Sequence, residues 1–219
     1  MKTLYFVRHG ESESNAGNPV YQGEGSRLTE KGREQGKEIA KRCKNLRIEG
    51  FIVSTALRAK ETAQIIAEEV GKEPEIEELF TERKVPRELI GKSRADEKAR
   101  AMELAWIDSF FQEGVRVGSG ENFSDLKSRA LSALKYLEER PEESILVVTH
   151  GFFLHMMVGL VLLGESMTAQ EFKKLGQSLW TDNTGLTVTE YHEEVLETVH
   201  QMKYSGWVLR VWNDHAHLG

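Results

Sequence analysis

Cysteine is almost missing from this chain. Cys43 stands alone, which excludes an intramolecular disulfide framework and fits a reducing compartment. Its helical spacing with Ile39, Ala40 and Leu46 makes it a packed thiol rather than a reactive one. Proline is scarce as well, four in 219 residues. No Gly-, Ser- or Pro-rich stretch and no internal repeat is present, which excludes linkers and repeat architectures. No apolar run approaches the ~20 residues of a membrane helix. The start, MKTLYFVRHG, places a lysine before an apolar run, but that run stops at Val7, too short for a signal-peptide core. Basic charge is in deficit: 29 Lys and Arg against 35 Asp and Glu leave a net charge of −6. That balance argues against nucleic acid as a partner, since phosphate backbones select basic surfaces. An anionic small molecule would need a local basic pocket acting against the overall field. The expectation is a cytoplasmic protein of one domain, residues 1–219, with no membrane contact and nothing that sets an oligomeric state.

What is present is an alternation of apolar runs and helical patterns. Thr3–Arg8, Gly50–Ser54, Glu75–Leu79, Ser144–Thr149, Leu186–Tyr191, Glu194–His200 and Trp207–Trp212 read as strands. SILVVTH is apolar on both faces, as a strand inside a sheet must be. Helical spacing recurs at Ala59, Ala63, Ile66 and Val70, and again at Leu126, Ala130, Ala133 and Leu137. Thr29 marks a helix start and Gly71 a helix stop. The pattern predicts an α/β fold, a three-layer α/β/α sandwich around a mixed, mostly parallel sheet. The last three strands are nearly consecutive, so that part of the sheet is antiparallel. Between Arg83 and Asn122 the rhythm breaks into a charged segment with one helical pattern, Ala99, Met102, Trp106 and Phe110. Residues 83–122 are read as a small helical cap insertion over the end of the sheet.

Two of the predicted buried strands end alike, TLYFV in Arg8-His9-Gly10 and SILVV in Thr149-His150-Gly151. Ligands bind outside the carboxyl ends of strands in such sheets, so both His-Gly pairs fall where chemistry is expected. The helical stretch after Gly151 would add amide donors for an anion at its N-terminus. Leu89-Ile90-Gly91-Lys92-Ser93 imitates the tail of a nucleotide-binding P-loop. Pro86 occupies the required first glycine and no apolar strand leads in, so that reading is rejected. His155, His192, His200, His215 and His217 read as structural or solvated. No HExxH motif occurs, and no metal is called for.

RHGESESN at Arg8–Asn15 resembles the signature of the histidine phosphatase superfamily, the phosphoglycerate mutase-like enzymes. Further similar segments follow in the family's order: LTEKGREQG, STALRAKETA, FTER, GENFSDLKSR, VVTHG and WNDHAHL. The resemblance covers essentially the whole chain. It implies that Arg8, Arg58, Asn15 and His150 clamp a phosphate group, with His150 as a charged or donating third base. It implies His9 as the nucleophile that forms a phosphohistidine, one ring nitrogen bare and the other donating to a backbone carbonyl. Glu82 matches the general acid and base; a carboxyl near bound phosphate holds its proton more tightly, which suits the role. Gln22, Gly23 and Gly151 stand where family members line the pocket. No cofactor is implied.

The acid-bearing segment continues ERKVPRELIGKS, which resembles phosphatase-type relatives more than glycolytic mutases. A metal-independent phosphomonoesterase acting on small phosphorylated molecules is therefore the first expectation. A phosphoglycerate mutase-type phosphoryl transfer is the second, and a non-catalytic phosphate-binding module the third. Trp106, Phe110 and Phe111 beside Lys92, Arg94, Lys98 and Arg100 are expected either to bind the rest of an anionic substrate or to dock the cap helix.

Overall fold

Strands β1 (Lys2–Arg8), β2 (Gly50–Val53), β3 (Glu75–Ile76), β4 (Ser144–Thr149), β5 (Leu186–Glu197) and β6 (Lys203–Asp214) form one sheet in the order β3-β2-β4-β1-β5-β6. The first four strands in that order are mutually parallel; β5 is antiparallel to β1, and β6 to β5. The computed structural model describes residues 1–112, 114–197 and 203–219, with side chains omitted at 195–205. The central strands alternate perfectly between two apolar layers. Leu4, Phe6, Ile52, Ile145 and Val147 face one core; Val7, Phe51, Val53, Leu146 and Val148 face the other. Helices α1 (Glu30–Cys43) and α2 (Leu57–Val70) cover the second core, while α4 (Phe123–Glu139) and α5 (Gly151–Leu163) cover the first. Cys43 is buried in the layer under α1, and burial pushes its thiol up to about 12.

The expected caps are in place. Thr29 Oγ1 accepts the Gly32 amide at 3.0 Å, and Gly71 ends α2 in the left-handed region at φ 70°. Two expectations need correction, and one helix lies where none was expected. The predicted strand Glu75–Leu79 keeps only two strand residues. The Glu77 carboxylate accepts the Leu79 amide at 3.0 Å and turns the chain into a 3-10 helix at Glu78–Phe80, which drives Phe80 into the core. The predicted strands Leu186–Tyr191 and Glu194–His200 are one strand, β5, that bends at register shifts; Thr198–His200 lie outside the described residues. Helix α6 (Ala169–Ser178) was not anticipated. It shows one buried residue, Phe172, so the periodicity that reveals a helix is nearly absent, although Thr168 and Glu171 form a capping box.

Segment 83–122 carries helix α3 (Glu97–Ser109) and folds against the loop around Tyr21. Tyr21, Leu89, Ala99 and Met102 make a small satellite core. The Tyr21 amide bonds Lys92 O at 3.0 Å, and the Gly91 amide returns to Tyr21 O at 2.9 Å. The rejected P-loop look-alike is thus a wall element. Trp106 and Phe110 settle the choice left open by the sequence: both are buried, with the Arg83 guanidinium stacked 3.6 and 4.0 Å from their ring centroids. They dock the helix. Phe110 also meets Phe152 and Phe172 at centroid distances of 5.1 and 6.0 Å, contacts worth about 0.5–1.5 kcal/mol each beyond burial.

Candidate active site

Parallel pairing sets the frame. Arg8 lies in register with Thr149, so His9 and His150 leave neighbouring strands at the same level, their ring centroids 5.1 Å apart. Both rings are almost completely buried. Gly10 is required where it stands, because a Cβ there would run into the Gly32 carbonyl of α1. A side chain on Gly151 would meet Thr181 Oγ1 at 2.9 Å and Arg8 Nε at 3.2 Å.

The hydrogen bonds assign the tautomer of His9. Nδ1 donates to Gly10 O at 2.7 Å, while Nε2 accepts from Arg58 Nε at 3.0 Å and is therefore the bare nitrogen. This is the arrangement that the resemblance implied. Burial, then the charges of Arg58 and Arg8, lower the His9 pKa well below its ordinary 6.5.

His150 differs from expectation. Its Nδ1 accepts from Arg58 Nη2 at 3.1 Å, so its Nε2 carries the proton and donates to Ser54 Oγ at 2.7 Å. Burial foremost, with Arg58, His9, Arg129 and Arg8 adding to it, also holds its pKa well below 6.5. His150 is thus neutral and fully buried behind the cavity, where it orients Arg58 instead of serving as a third charge. The Arg58 fork is completed by Nη1, which donates to Gly23 O at 3.0 Å.

A cavity of about 420 Å³ opens over this arrangement, lined by Arg8, His9, Asn15, Arg58, Glu82 and Gly151 among others. Gln22 and Gly23 also reach its wall, but the Gln22 amide is already held by Ser14 and Glu13 at 3.2 and 2.6 Å. Asn15 Oδ1 accepts from Ser12 N, Ser12 Oγ and Asn183 Nδ2 at 3.2, 3.0 and 3.4 Å. With its oxygen held three times, Asn15 has only its NH₂ to offer the cavity. A second cavity of about 420 Å³ shares Gln22, Gly23, Arg58, Glu82 and Val85 and extends to Lys84, Arg87, Ile90 and Ser119. Of the cations singled out in segment 83–122, Arg94 lines the first cavity; Lys92, Lys98 and Arg100 are exposed and line neither.

The N-terminus of α5 does hold an acidic group, and that group belongs to the protein. The Phe152 and Phe153 amides donate to Glu82 Oε2 and Oε1 at 3.2 and 3.0 Å, and the Arg83 amide adds a bond to Oε1 at 2.9 Å. This replaces the expectation that those amides serve a substrate. It also fixes the Glu82 carboxylate on the wall of both cavities.

Sequence reasoning missed three contributors. Asn183 donates to His9 O at 2.9 Å from a turn in which Thr184 adopts φ 62°. His155, read as structural, lines the cavity; burial and then the Arg8 charge lower its pKa to about 4. Trp180 stands on the rim, 74% exposed, with its indole N–H on Asp182. None sits in a motif whose local spacing announces its role.

The histidines yield a pH prediction. Each of His9, His150 and His155 has a folded pKa below the unfolded value, so the unfolded chain takes up more protons as pH falls below about 6.5. Their contribution to stability is therefore present above that pH and lost below it, down to about 4 for His155. Thermal unfolding followed by calorimetry should show Tm falling with acidification through this window. NMR of the three imidazoles should show no titration step at 6.5.

Arg8 at the end of β1 and Arg58 in the first turn of α2 bring two guanidinium forks to one cavity, an arrangement that suits the oxygens of a phosphoryl group. Sequence comparison is more specific. The profile of the histidine phosphatase superfamily (branch 1) matches residues 4–214, and the chain belongs to that family. "Probable phosphoglycerate mutase GpmB" of Erwinia tasmaniensis is 30% identical over 223 residues, covering all of this chain and 95% of the relative. Bacillus stearothermophilus YhfR is similar in structure, with TM-score 0.77 and 27% identity over the whole of both chains. The alpha-ribazole phosphatase of Shigella flexneri shares the fold at TM-score 0.75 and 20% identity, over 97% of this chain and 96% of that one.

Proposed function

We propose that the protein is a metal-independent phosphomonoesterase for small phosphorylated molecules, working through phospho-His9 with Glu82 as proton donor and acceptor. The observation that carries this reading is the bare Nε2 of a neutral, buried His9 facing a cavity walled by Arg8, Arg58, Arg94 and the Glu82 carboxyl.

The His9 Nε2 lone pair forms the N–P bond as the ester P–O bond breaks, and the leaving oxygen takes the proton of Glu82. Arg8, Arg58 and the Asn15 NH₂ bind the phosphoryl oxygens, on which negative charge gathers. Water then gives a proton to Glu82 while its oxygen bonds to phosphorus and the N–P bond breaks. Inorganic phosphate leaves, and His9 and protonated Glu82 are restored. Arginine charge does here what Mg²⁺ does in other phosphoryl-transfer enzymes, so no metal enters the scheme. The second cavity, which shares Arg58 and Glu82 with the first, gives the alcohol part of the substrate a place to lie. The lone Cys43 thiol suits a cytoplasmic setting.

The GpmB relatives favour a second reading, a mutase-type transfer that returns the phosphoryl group to another hydroxyl. A panel of phosphorylated metabolites, assayed with and without a bisphosphoglycerate and after EDTA treatment and gel filtration, tests both readings. Phosphate release from at least one monoester, undiminished by EDTA, is the expected result. Bisphosphoglycerate-dependent isomerisation without net phosphate release would establish the mutase instead. A divalent-ion requirement would remove the metal-free scheme.

A further inference from the structure

Glu82 sits outside any helix or strand, just past the Glu78–Phe80 turn. Its carboxyl is held by the α5 amides and the Arg83 amide. The loop that carries it is restrained separately, from α4. Arg129 Nη1 donates to Leu79 O and Thr81 O at 2.9 and 2.7 Å, and Nη2 donates to Glu82 O at 3.2 Å. The same guanidinium is gripped at both ends by Glu121, through Nε–Oε1 and Nη2–Oε2, each 2.8 Å. Glu121 Oε2 in turn accepts the Lys84 amide at 2.8 Å. The loop is therefore tied on both sides of Glu82. The guanidinium also lies 4.8 Å over the ring of Phe153, whose amide holds the Glu82 carboxylate. Arg129 and Glu121 each keep 10% side-chain exposure, and α4 beneath them is anchored by buried Leu126, Ala130 and Ala133.

We propose that Arg129, braced by Glu121, is the positioning residue that sets the Glu82 carboxyl for proton transfer. The proposal rests on the reading of Glu82 as proton donor. A lysine keeps the charge opposite Glu121 but has no planar fork to span three carbonyls, so Arg129→Lys separates positioning from charge pairing.

The test measures kcat/KM for a series of phosphate monoesters, from nitrophenyl to simple alkyl, in wild type, Arg129→Lys, Glu82→Gln and the double variant. Arg129→Lys should lower the rate on alkyl esters by roughly 10²-fold, the scale of a misplacement of about 1 Å. The nitrophenyl ester, whose leaving group needs little protonation, should lose only a few-fold. Added to Glu82→Gln, the lysine substitution should change little, because the two act as one unit. An equal factor on every ester, or additive losses in the double variant, would reduce the pair to a structural brace and overturn the proposal. If Arg129→Lys does not fold by circular dichroism, Glu121→Gln reads the same dependence through the Lys84 amide. A Glu82→Gln variant without leaving-group preference overturns the reading of Glu82 and this proposal with it. A selective Glu82→Gln beside an unselective Arg129→Lys overturns the proposal alone.

Discussion

His9→Ala should abolish turnover, with a loss of roughly five to six orders of magnitude, the scale on which nucleophile deletions act in enzymes with covalent intermediates. Brief reaction with ³²P-labelled substrate and an alkaline quench should leave acid-labile label on the wild-type peptide that carries His9, and none on the variant. The size of the effect follows from the geometry. His9 Nε2 is unprotonated and accepts only from Arg58, the other His9 nitrogen is committed to Gly10 O, and both His150 nitrogens are engaged by Ser54 and Arg58. No neighbouring side chain can replace it at the same place. Ser12 and Ser14 also line the cavity, but Ser12 Oγ donates to Asn15 and Ser14 Oγ to Gln22. Acid-stable label on either serine, or appreciable activity in His9→Ala, would refute the phosphohistidine route. The substitution should not unfold the protein, because His9 sits at a strand end and not in an apolar cluster.

A second large effect is expected from Glu82→Gln. The amide keeps the shape of the carboxyl and removes its transferable proton, so esters with poor leaving groups should lose roughly 10²–10⁴ in kcat. A nitrophenyl ester should lose far less in the first step. Its phosphoenzyme should instead accumulate, because the same residue must deprotonate the attacking water. Burst kinetics would display that switch directly. One side effect is foreseeable. The glutamine NH₂ cannot accept from the amides of α5, which leaves at least one of the Phe152, Phe153 and Arg83 N–H groups without its partner, at a cost of about 1–3 kcal/mol. A modest fall in Tm is therefore compatible with the role. Wild-type rates on alkyl esters are not, and would direct the search to Glu77, Glu78 or Glu88.

The parts of the fold that could be read from the chain are those whose signal is local. β4, buried at every position, and β1, with its Leu4–Val7 apolar run, announce themselves by hydrophobicity, and each runs straight into a His-Gly pair. Arg8, His9 and Asn15 lie within one short motif, and the structure brings them to one cavity with Arg58, Glu82 and Gly151. What escaped depends on contacts between distant residues. Arg129 reaches Glu82 O across 47 positions and Asn183 reaches His9 O across 174. An arginine in a helix or an asparagine in a turn carries no mark of such a partner. His150, expected to be charged or donating, donates to Ser54 and not toward the cavity. A histidine beside arginines reads as part of a cationic cluster, yet complete burial among those charges lowers its pKa well below 6.5. The sequence left open whether Trp106 and Phe110 face a ligand or dock their helix, and the structure buries both against Arg83. Helical spacing is the same for a side chain that faces a ligand and one that faces Arg83.

The pairing of β1 with β4 has a consequence for how such a protein can change over evolutionary time. The spacing between His9 and His150 is set by main-chain hydrogen bonds in the middle of a sheet, where side-chain substitution has little leverage. The groups around Arg87, Ile90 and Ser119 lie instead on irregular chain anchored by a satellite core. Inherited variation can reshape that outer region without disturbing the ladder that spaces the two imidazoles. One ancestral pair of imidazoles can thus pass intact through many lineages while the chain around it diverges.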